Sequence, residues 1–309
     1  MNNISIAIHG GAGTILKSTM TPEKEAAYKA ALQGALDAGY HALASGTSSI
    51  DAVEIAVSTL EDSHLFNAGK GSVFTAEGTH EMDASIMDGK TLMAGAVSLV
   101  KGIKNPVKLS RLVMEQSDHV FLAGQGAETF ARQKGCEFRD DDYFYDEFRF
   151  NQWQEVKGTD QFQLDHSVNK DHKFGTVGAV ALDQFGNIAA ATSTGGMTNK
   201  KFGRVGDSPM IGAGNYANNN TCAVSCTGSG EFFIRAVVAY DVSCLMEYKG
   251  LSLQEACTEV VQNRLMKIGG DGGLIAVDTK GNITLEFNTE GMYRGQRNNH
   301  GVNEVAIYG

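Results

Sequence analysis

Gly175-Thr176-Val177-Gly178-Ala179-Val180 decides the reading of this chain. The apolar run after Thr176 reads as a buried strand, with a hydroxyl at its head. Alone, a Gly-Thr step is only a β-branched residue entering a strand. The sequence downstream changes its weight. Thr192-Ser193-Thr194-Gly195-Gly196 ends the next strand-like run, Gly203-Arg204-Val205-Gly206-Asp207-Ser208 follows, and Cys226-Thr227-Gly228-Ser229-Gly230 ends another. Three loops rich in hydroxyls or charge thus follow one candidate nucleophile.

A threonine hydroxyl is a weak nucleophile near neutral pH and needs a base beside it. A free α-amino group, with a pKa of about 7.7–8.0, is partly neutral at pH 7. If Thr176 became the first residue of a chain, its own amine would take the proton from its own hydroxyl, and such general-base help gives roughly 10²–10⁴-fold. The same hydroxyl can free that amine by attacking the Gly175 carbonyl, since glycine tolerates strained backbone angles. The fragments would be residues 1–175 and 176–309.

Arg204 and Asp207 suit an amino acid head group. A guanidinium grips an α-carboxylate with two parallel hydrogen bonds, and a carboxylate three residues on receives an α-ammonium. The bland alternative is a surface ion pair worth about 0–1 kcal/mol. Thr227-Gly228-Ser229-Gly230 precedes a helix opening at Glu231, where backbone N–H groups point outward at an anion. His9-Gly10-Gly11-Ala12-Gly13 lacks the spacing of a dinucleotide loop.

These loops, in this order, resemble the N-terminal nucleophile hydrolases, and among them the plant-type (type III) L-asparaginases, also called isoaspartyl peptidases. The resemblance runs from residue 4 to about 295 and is weakest over 137–173 and after Gly295. It implies an α+β fold, a four-layer αββα sandwich, in one catalytic domain spanning 1–309, made as a precursor and cut at Gly175-Thr176 into α (1–175) and β (176–309) subunits. The implied activity is hydrolysis of β-aspartyl dipeptides and of L-asparagine. Thr176 is the implied nucleophile, Thr194 tunes it, and Thr227 and Gly228 form the oxyanion hole. Arg204, Val205, Gly206, Asp207, Thr227, Gly228, Ser229 and Gly230 line the substrate site. Gly11 and Asn67 support the nucleophile, Asn67 either by orienting it or by making a turn, and His9 is structural rather than a base. Catalysis needs no cofactor, but carbonyls of Leu60, Glu61, Ser63, Phe66, Ala68 and Lys70 are expected to hold a structural sodium ion. Assembly as (αβ)2 is implied. Two alternatives stay open: a glycosylasparaginase-type amidase, which shares the Gly-Arg-Val-Gly-Asp-Ser loop, and a binder of aspartate-like ligands that never cuts itself.

The rest of the chain bounds this reading. Its 309 residues are 42% hydrophobic and 20% charged, an ordinary globular composition. A net charge of -10 argues against nucleic acid, which needs a clustered basic surface. No run approaches the roughly 18 apolar residues of a membrane span, and the start of the chain has no signal-like basic region, so a cytoplasmic enzyme is expected. Five cysteines at wide spacings are expected to be free thiols, with Cys222 and Cys226 facing the same core.

Periodicity predicts strands over Ile4–Ile8, 79–88, 92–100, Val120–Leu122, Thr176–Asp183, Asn187–Thr192, Cys222–Cys226, Gly273–Val277, Ile283–Phe287 and Val302–Tyr308. Helices are predicted from Thr21 to Ala44, after Ser48 with Ile50, Val53, Val57 and Leu60 on one face, and over Asn105–Gln116, Gly126–Lys134, Glu231–Tyr248 and Ser252–Met266. Residues 137–173 show no sustained period, although their aromatics suit docking on the body. About 157–175 reads as a flexible linker ending at the bond to be cut.

Overall fold

The structure is a computed structural model that describes residues 3–159 and 175–309. In chain order it forms β1 (Ser5–Gly13), α1 (Pro22–Ala44), α2 (Ser49–Glu61), β2 (Met82–Asp88), β3 (Ala94–Val100), α3 (Pro106–Gln116), β4 (Phe121–Ala123), α4 (Gly124–Gln133), α5 (Asp141–Phe144) and α6 (Glu147–Val156). After residue 175 come β5 (Val177–Leu182), β6 (Ile188–Thr194), β7 (Asn215–Ala217), β8 (Cys222–Gly228), α7 (Gly230–Ala236), α8 (Val238–Lys249), α9 (Leu253–Thr258), β9 (Gly272–Asp278), β10 (Ile283–Phe287), β11 (Gly291–Asn298) and β12 (Asn303–Tyr308).

Two sheets result. The larger runs β12-β11-β1-β5-β6-β2-β3-β4 and the smaller β10-β9-β8-β7. In the larger sheet β5 sits between β1 and β6, so the residue at its head lies at the centre. Every residue of β5 and β6 is buried, on both faces. The faces divide by alternation. Ile6, Ile8, Ala179 and Ala181 pack with Leu32, Leu36, Val53 and Val57 of α1 and α2. Ala7, Val180, Leu182 and Ala190 pack instead with Ala223, Ile275 and Val277 of the smaller sheet. The far face of that sheet carries Cys222, Val224, Cys226 and Leu274 against Phe233, Val242, Leu245, Cys257 and Val260.

Local chemistry explains the helix starts. Thr21 accepts the Lys24 N–H ahead of Pro22 at the first turn, and Ser48 accepts the Asp51 N–H. The expected face of Ile50, Val53, Val57 and Leu60 is buried.

Several expectations are corrected. β1 continues through the glycine run to Gly13, with a bulge between His9 and Gly11. The segment from 137 is structured at its start: α5 and α6 bury Phe144 and Trp153, and Trp153 stacks on Phe74 with ring centroids 5.6 Å apart. Of the expected linker, 160–174 lie outside the described residues. The single helix expected over Glu231–Tyr248 is two, broken at Val237 in the left-handed conformation (φ 52°, ψ 47°). The break frees the next amides: Ala239 and Tyr240 donate to the Ala213 and Gly212 carbonyls at 3.2 and 2.8 Å. The helix expected over Ser252–Met266 widens into a π-helical turn over Glu259–Leu265. Strands β7 and β11 were not expected. The five cysteines are free, and Cys222, Cys226 and Cys257 are buried. Among the described residues no helix is long and apolar enough to cross a membrane.

Candidate active site

The ends of β1, β5, β6 and β8 converge because their strands are neighbours within or across the two sheets. Thr176 heads β5, and its Oγ1 donates to Thr194 Oγ1 at the end of β6, 3.2 Å away. The antiparallel register that pairs Val177 with Ser193 brings these two hydroxyls together. Thr194 Oγ1 also accepts the Gly196 N–H at 3.0 Å, which fixes its position.

Gly175 lies against β1. A Cβ built on Gly11 would stand 2.5 Å from the Gly175 nitrogen, so only a bare residue fits there. A Cβ on Gly175 would stand 3.1 Å from Thr227 Oγ1, and that oxygen accepts the Ala12 N–H at 3.3 Å. Gly11, Gly175 and Thr227 therefore meet at the one peptide bond that precedes Thr176. Thr227 ends β8, Gly228 has φ +154°, and α7 begins at Gly230.

His9 sits beneath. One ring nitrogen, Nδ1, lies 3.0 Å from the Thr176 carbonyl and the other, Nε2, 2.9 Å from Ser225 Oγ, which lies 2.7 Å from Thr192 Oγ1. Full burial drives its pKa down to about 3, against the opposing pull of the Thr176 carbonyl, so the ring is neutral at working pH. It holds the Thr176 backbone, in keeping with a structural role.

Asn67 is buried and spends its polar groups on the turn after β6 and on its own loop. Its Nδ2 donates to the Gly196 carbonyl at 2.7 Å, its Oδ1 accepts Val73 N–H at 3.1 Å, and its own carbonyl accepts Gly195 N–H at 2.9 Å. Of the two roles left open for Asn67, these bonds are those of a turn brace beside Thr194.

Arg204 and Asp207 lie on one loop but do not pair. Arg204 donates through Nε and Nη2 to both oxygens of Glu231, at 2.9 and 3.0 Å. Asp207 is buried, and its Oδ2 has no hydrogen-bond partner among the described residues. Burial pushes its carboxyl up to about 7, although Arg204 nearby pulls it down. A buried carboxylate oxygen without a partner is costly unless a cationic ligand completes it.

Three residues were missed as site members. Ser208 Oγ stands 3.5 Å from Thr176 Oγ1, Ser225 supports His9, and Glu231 holds Arg204. Ser208 directly follows Asp207 on the quoted loop. Ser225 alternates with Val224 and Cys226 and so faces the opposite sheet. No sequence signal pairs Arg204 with Glu231.

Comparison with known proteins identifies the family. The model of a family described as asparaginase matches residues 2–307. The chain is 54% identical to the isoaspartyl peptidase of Salmonella typhimurium over 297 residues, 95% of each chain. It is 44% identical to a probable isoaspartyl peptidase/L-asparaginase of Arabidopsis thaliana over 329 residues, with both chains fully covered. It is 43% identical to the plant-type L-asparaginase of Pyrococcus abyssi, covering 94% of each. The resemblance read from the loops around Thr176 is borne out: the chain belongs to the asparaginase family.

Proposed function

We propose that this protein is a self-cleaving threonine amidohydrolase that hydrolyses β-aspartyl dipeptides to L-aspartate and an amino acid, and L-asparagine to L-aspartate and ammonia. The observation that carries the reading is the Thr176 hydroxyl, bonded to Thr194 at 3.2 Å immediately after a glycine packed on Gly11. The names of the relatives supply the substrate class.

In the first step Thr176 Oγ attacks the Gly175 carbonyl carbon. The C–N bond to Thr176 breaks, the nitrogen takes the hydroxyl proton, and an ester joins Gly175 to Thr176 Oγ. Water hydrolyses the ester, leaving a carboxylate on Gly175 and a free amine and hydroxyl on Thr176. In turnover that amine takes the hydroxyl proton as Oγ attacks the β-carbonyl of the substrate. Thr227 and Gly228 face the developing oxyanion, where one donor contributes about 2.7–4 kcal/mol. The amine or ammonia leaves, and water resolves the β-aspartyl ester. Arg204 receives the α-carboxylate and Asp207 the α-ammonium, while Val205, Gly206, Ser229 and Gly230 shape the walls. Both substrates share that head group, and only the leaving amine differs.

The wider reading follows from the same chemistry. The chain is one catalytic domain whose mature form has subunits 1–175 and 176–309, paired as (αβ)2 and working in the cytoplasm. Its architecture is read as a four-layer αββα sandwich. Support comes from apolar clusters between the two sheets and between each sheet and its helices. Leu60, Glu61, Ser63, Phe66, Ala68 and Lys70 would hold a sodium ion by their carbonyls. The loop folds tightly on its own carbonyls: a Cβ on Gly71 would stand 2.6 Å from the His64 carbonyl and would also overlap that of Phe66. Phe66 and Ala68 each accept one loop N–H, and each carbonyl keeps a second lone pair. The ion would stiffen the loop that carries Asn67, and it takes no part in the chemistry.

Turnover of L-asparagine and of β-Asp-Leu by purified protein, lost in Thr176→Ala, tests the reading. Activity on N-acetylglucosaminyl-asparagine without activity on β-Asp-Leu would favour a glycosylasparaginase. An intact, inert chain that binds aspartate would favour a binder.

A further inference from the structure

Arg204 is gripped along one edge only. Glu231 takes Nε and Nη2, which leaves both Nη1 N–H groups and one on Nη2 without a hydrogen-bond partner among the described residues. One N–H on Nη1 and the free N–H on Nη2 form the end-on fork of the guanidinium. Two glycines bracket the group. A Cβ on Gly206 would stand 3.1 Å from Nη1 and 3.4 Å from both Cζ and Nη2, near-equal distances that set Gly206 against the flat face. A Cβ on Gly230 would stand 3.0 Å from Nη2 and 2.9 Å from Asp207 Oδ1. No side chain therefore fills the space where Nη2 and Asp207 approach.

We propose that Glu231 is a positioning residue for the substrate's α-carboxylate: it clamps the side edge of Arg204 and aims the free fork into the space beside Asp207. The inference rests on the reading that Arg204 and Asp207 bind an aspartyl head group. The clamp is well built for this. Its two bonds are parallel and charge-assisted, which fixes a plane rather than a point. Glu231 stands in the first turn of α7, directly after the Thr227–Gly230 loop, so the same backbone that shapes the oxyanion site also sets the guanidinium. An arginine without such a clamp loses rotamer freedom only when substrate arrives, and affinity falls accordingly. A carboxylate that merely occupied the substrate's place would cover the fork, whereas Glu231 takes the other edge.

The test is steady-state kinetics of self-cleaved Glu231→Ala and Glu231→Gln with L-asparagine, with melting temperature as a check on folding. The expected result is a KM raised about tenfold or more in Glu231→Ala and by less in Glu231→Gln, which keeps one acceptor. The kcat should stay within about threefold of wild type in both. A KM that is unchanged or lower, or a kcat that falls as far as kcat/KM, would overturn the role. Glu231→Gln is nearly isosteric and keeps the question answerable should the alanine variant not fold. Wild-type protein inert towards both substrate classes would sink the functional reading itself. An active wild type with the wrong KM pattern sinks the Glu231 role alone.

Discussion

Gly11 and Gly175 pack backbone against backbone: a Cβ on Gly11 would stand 2.5 Å from the Gly175 nitrogen and 2.6 Å from its Cα. Gly11 also has φ +114°, which side-chain-bearing residues rarely adopt. It thus backs the bond proposed to break. Gly11→Ala is expected to slow self-cleavage by roughly 10–100-fold, because small displacements of reacting groups cost that much. Loss of the full-length band with time on a denaturing gel gives the rate. Cleavage at the wild-type rate would show that this contact does not shape the scissile peptide.

Asp207 gives activity a pH signature. Burial lifts its carboxyl to about 7, and only the ionised form receives an α-ammonium. Because the Thr176 amine must also be unprotonated, kcat/KM for L-asparagine should fall more steeply than tenfold per pH unit below about 7, approaching a hundredfold. Asp207→Asn should lower kcat/KM overall and keep only the limb of the Thr176 amine, near about 7.7–8.0. Stability runs the other way. The unfolded carboxyl ionises near 3.8 while the folded one holds its proton to about 7, so burying Asp207 costs stability as pH rises between them. Asp207→Asn should melt higher than wild type at pH 7, with the gap closing towards pH 4.

Asn67 ties its own loop to the turn that follows Thr194: its Nδ2 donates to the Gly196 carbonyl and its Oδ1 accepts the Val73 N–H. Asn67→Ala should lose about 1–3 kcal/mol in a urea melt. Because the Thr194 hydroxyl is then held less firmly, kcat should drop about tenfold while KM for L-asparagine changes little. A change in KM alone would place Asn67 against the substrate.

Val237 lies in the left-handed region and is well exposed. That conformation costs an L-residue roughly 1–2 kcal/mol. Val237→Gly is therefore expected to leave stability unchanged or raise it by up to about 1 kcal/mol in denaturant melts. In one unbroken helix the same substitution would cost a few tenths of a kcal/mol, roughly 0.3–0.5. Clear destabilisation would contradict the break.

The legible parts of the fold are those whose causes are local. Thr21-Pro22 and Ser48 announce α1 and α2 because capping is decided within one turn, β5 announces itself as an unbroken apolar run, and β6 begins as one before its hydroxyl-rich end. Strand β11 was hidden because Arg294, Gln296 and Arg297 interrupt its apolar pattern, and its place is fixed by pairing with β1. The kink at Val237 runs against valine's own preference and is held by bonds to Gly212 and Ala213 on another loop. In the site, the three loops were readable because each carries its chemistry within a few residues. The clamp of Glu231 on Arg204, the solitary oxygen of Asp207 and the use of Asn67 as a brace depend on contacts between distant segments, which no local pattern encodes.

The most direct test is the intact mass, under denaturing conditions, of protein shown in the same preparation to hydrolyse L-asparagine. Two species are expected, residues 1–175 and 176–309, with Thr176 as the amino-terminal residue of the second. A single uncut chain with full activity would contradict a nucleophile activated by its own freed amine.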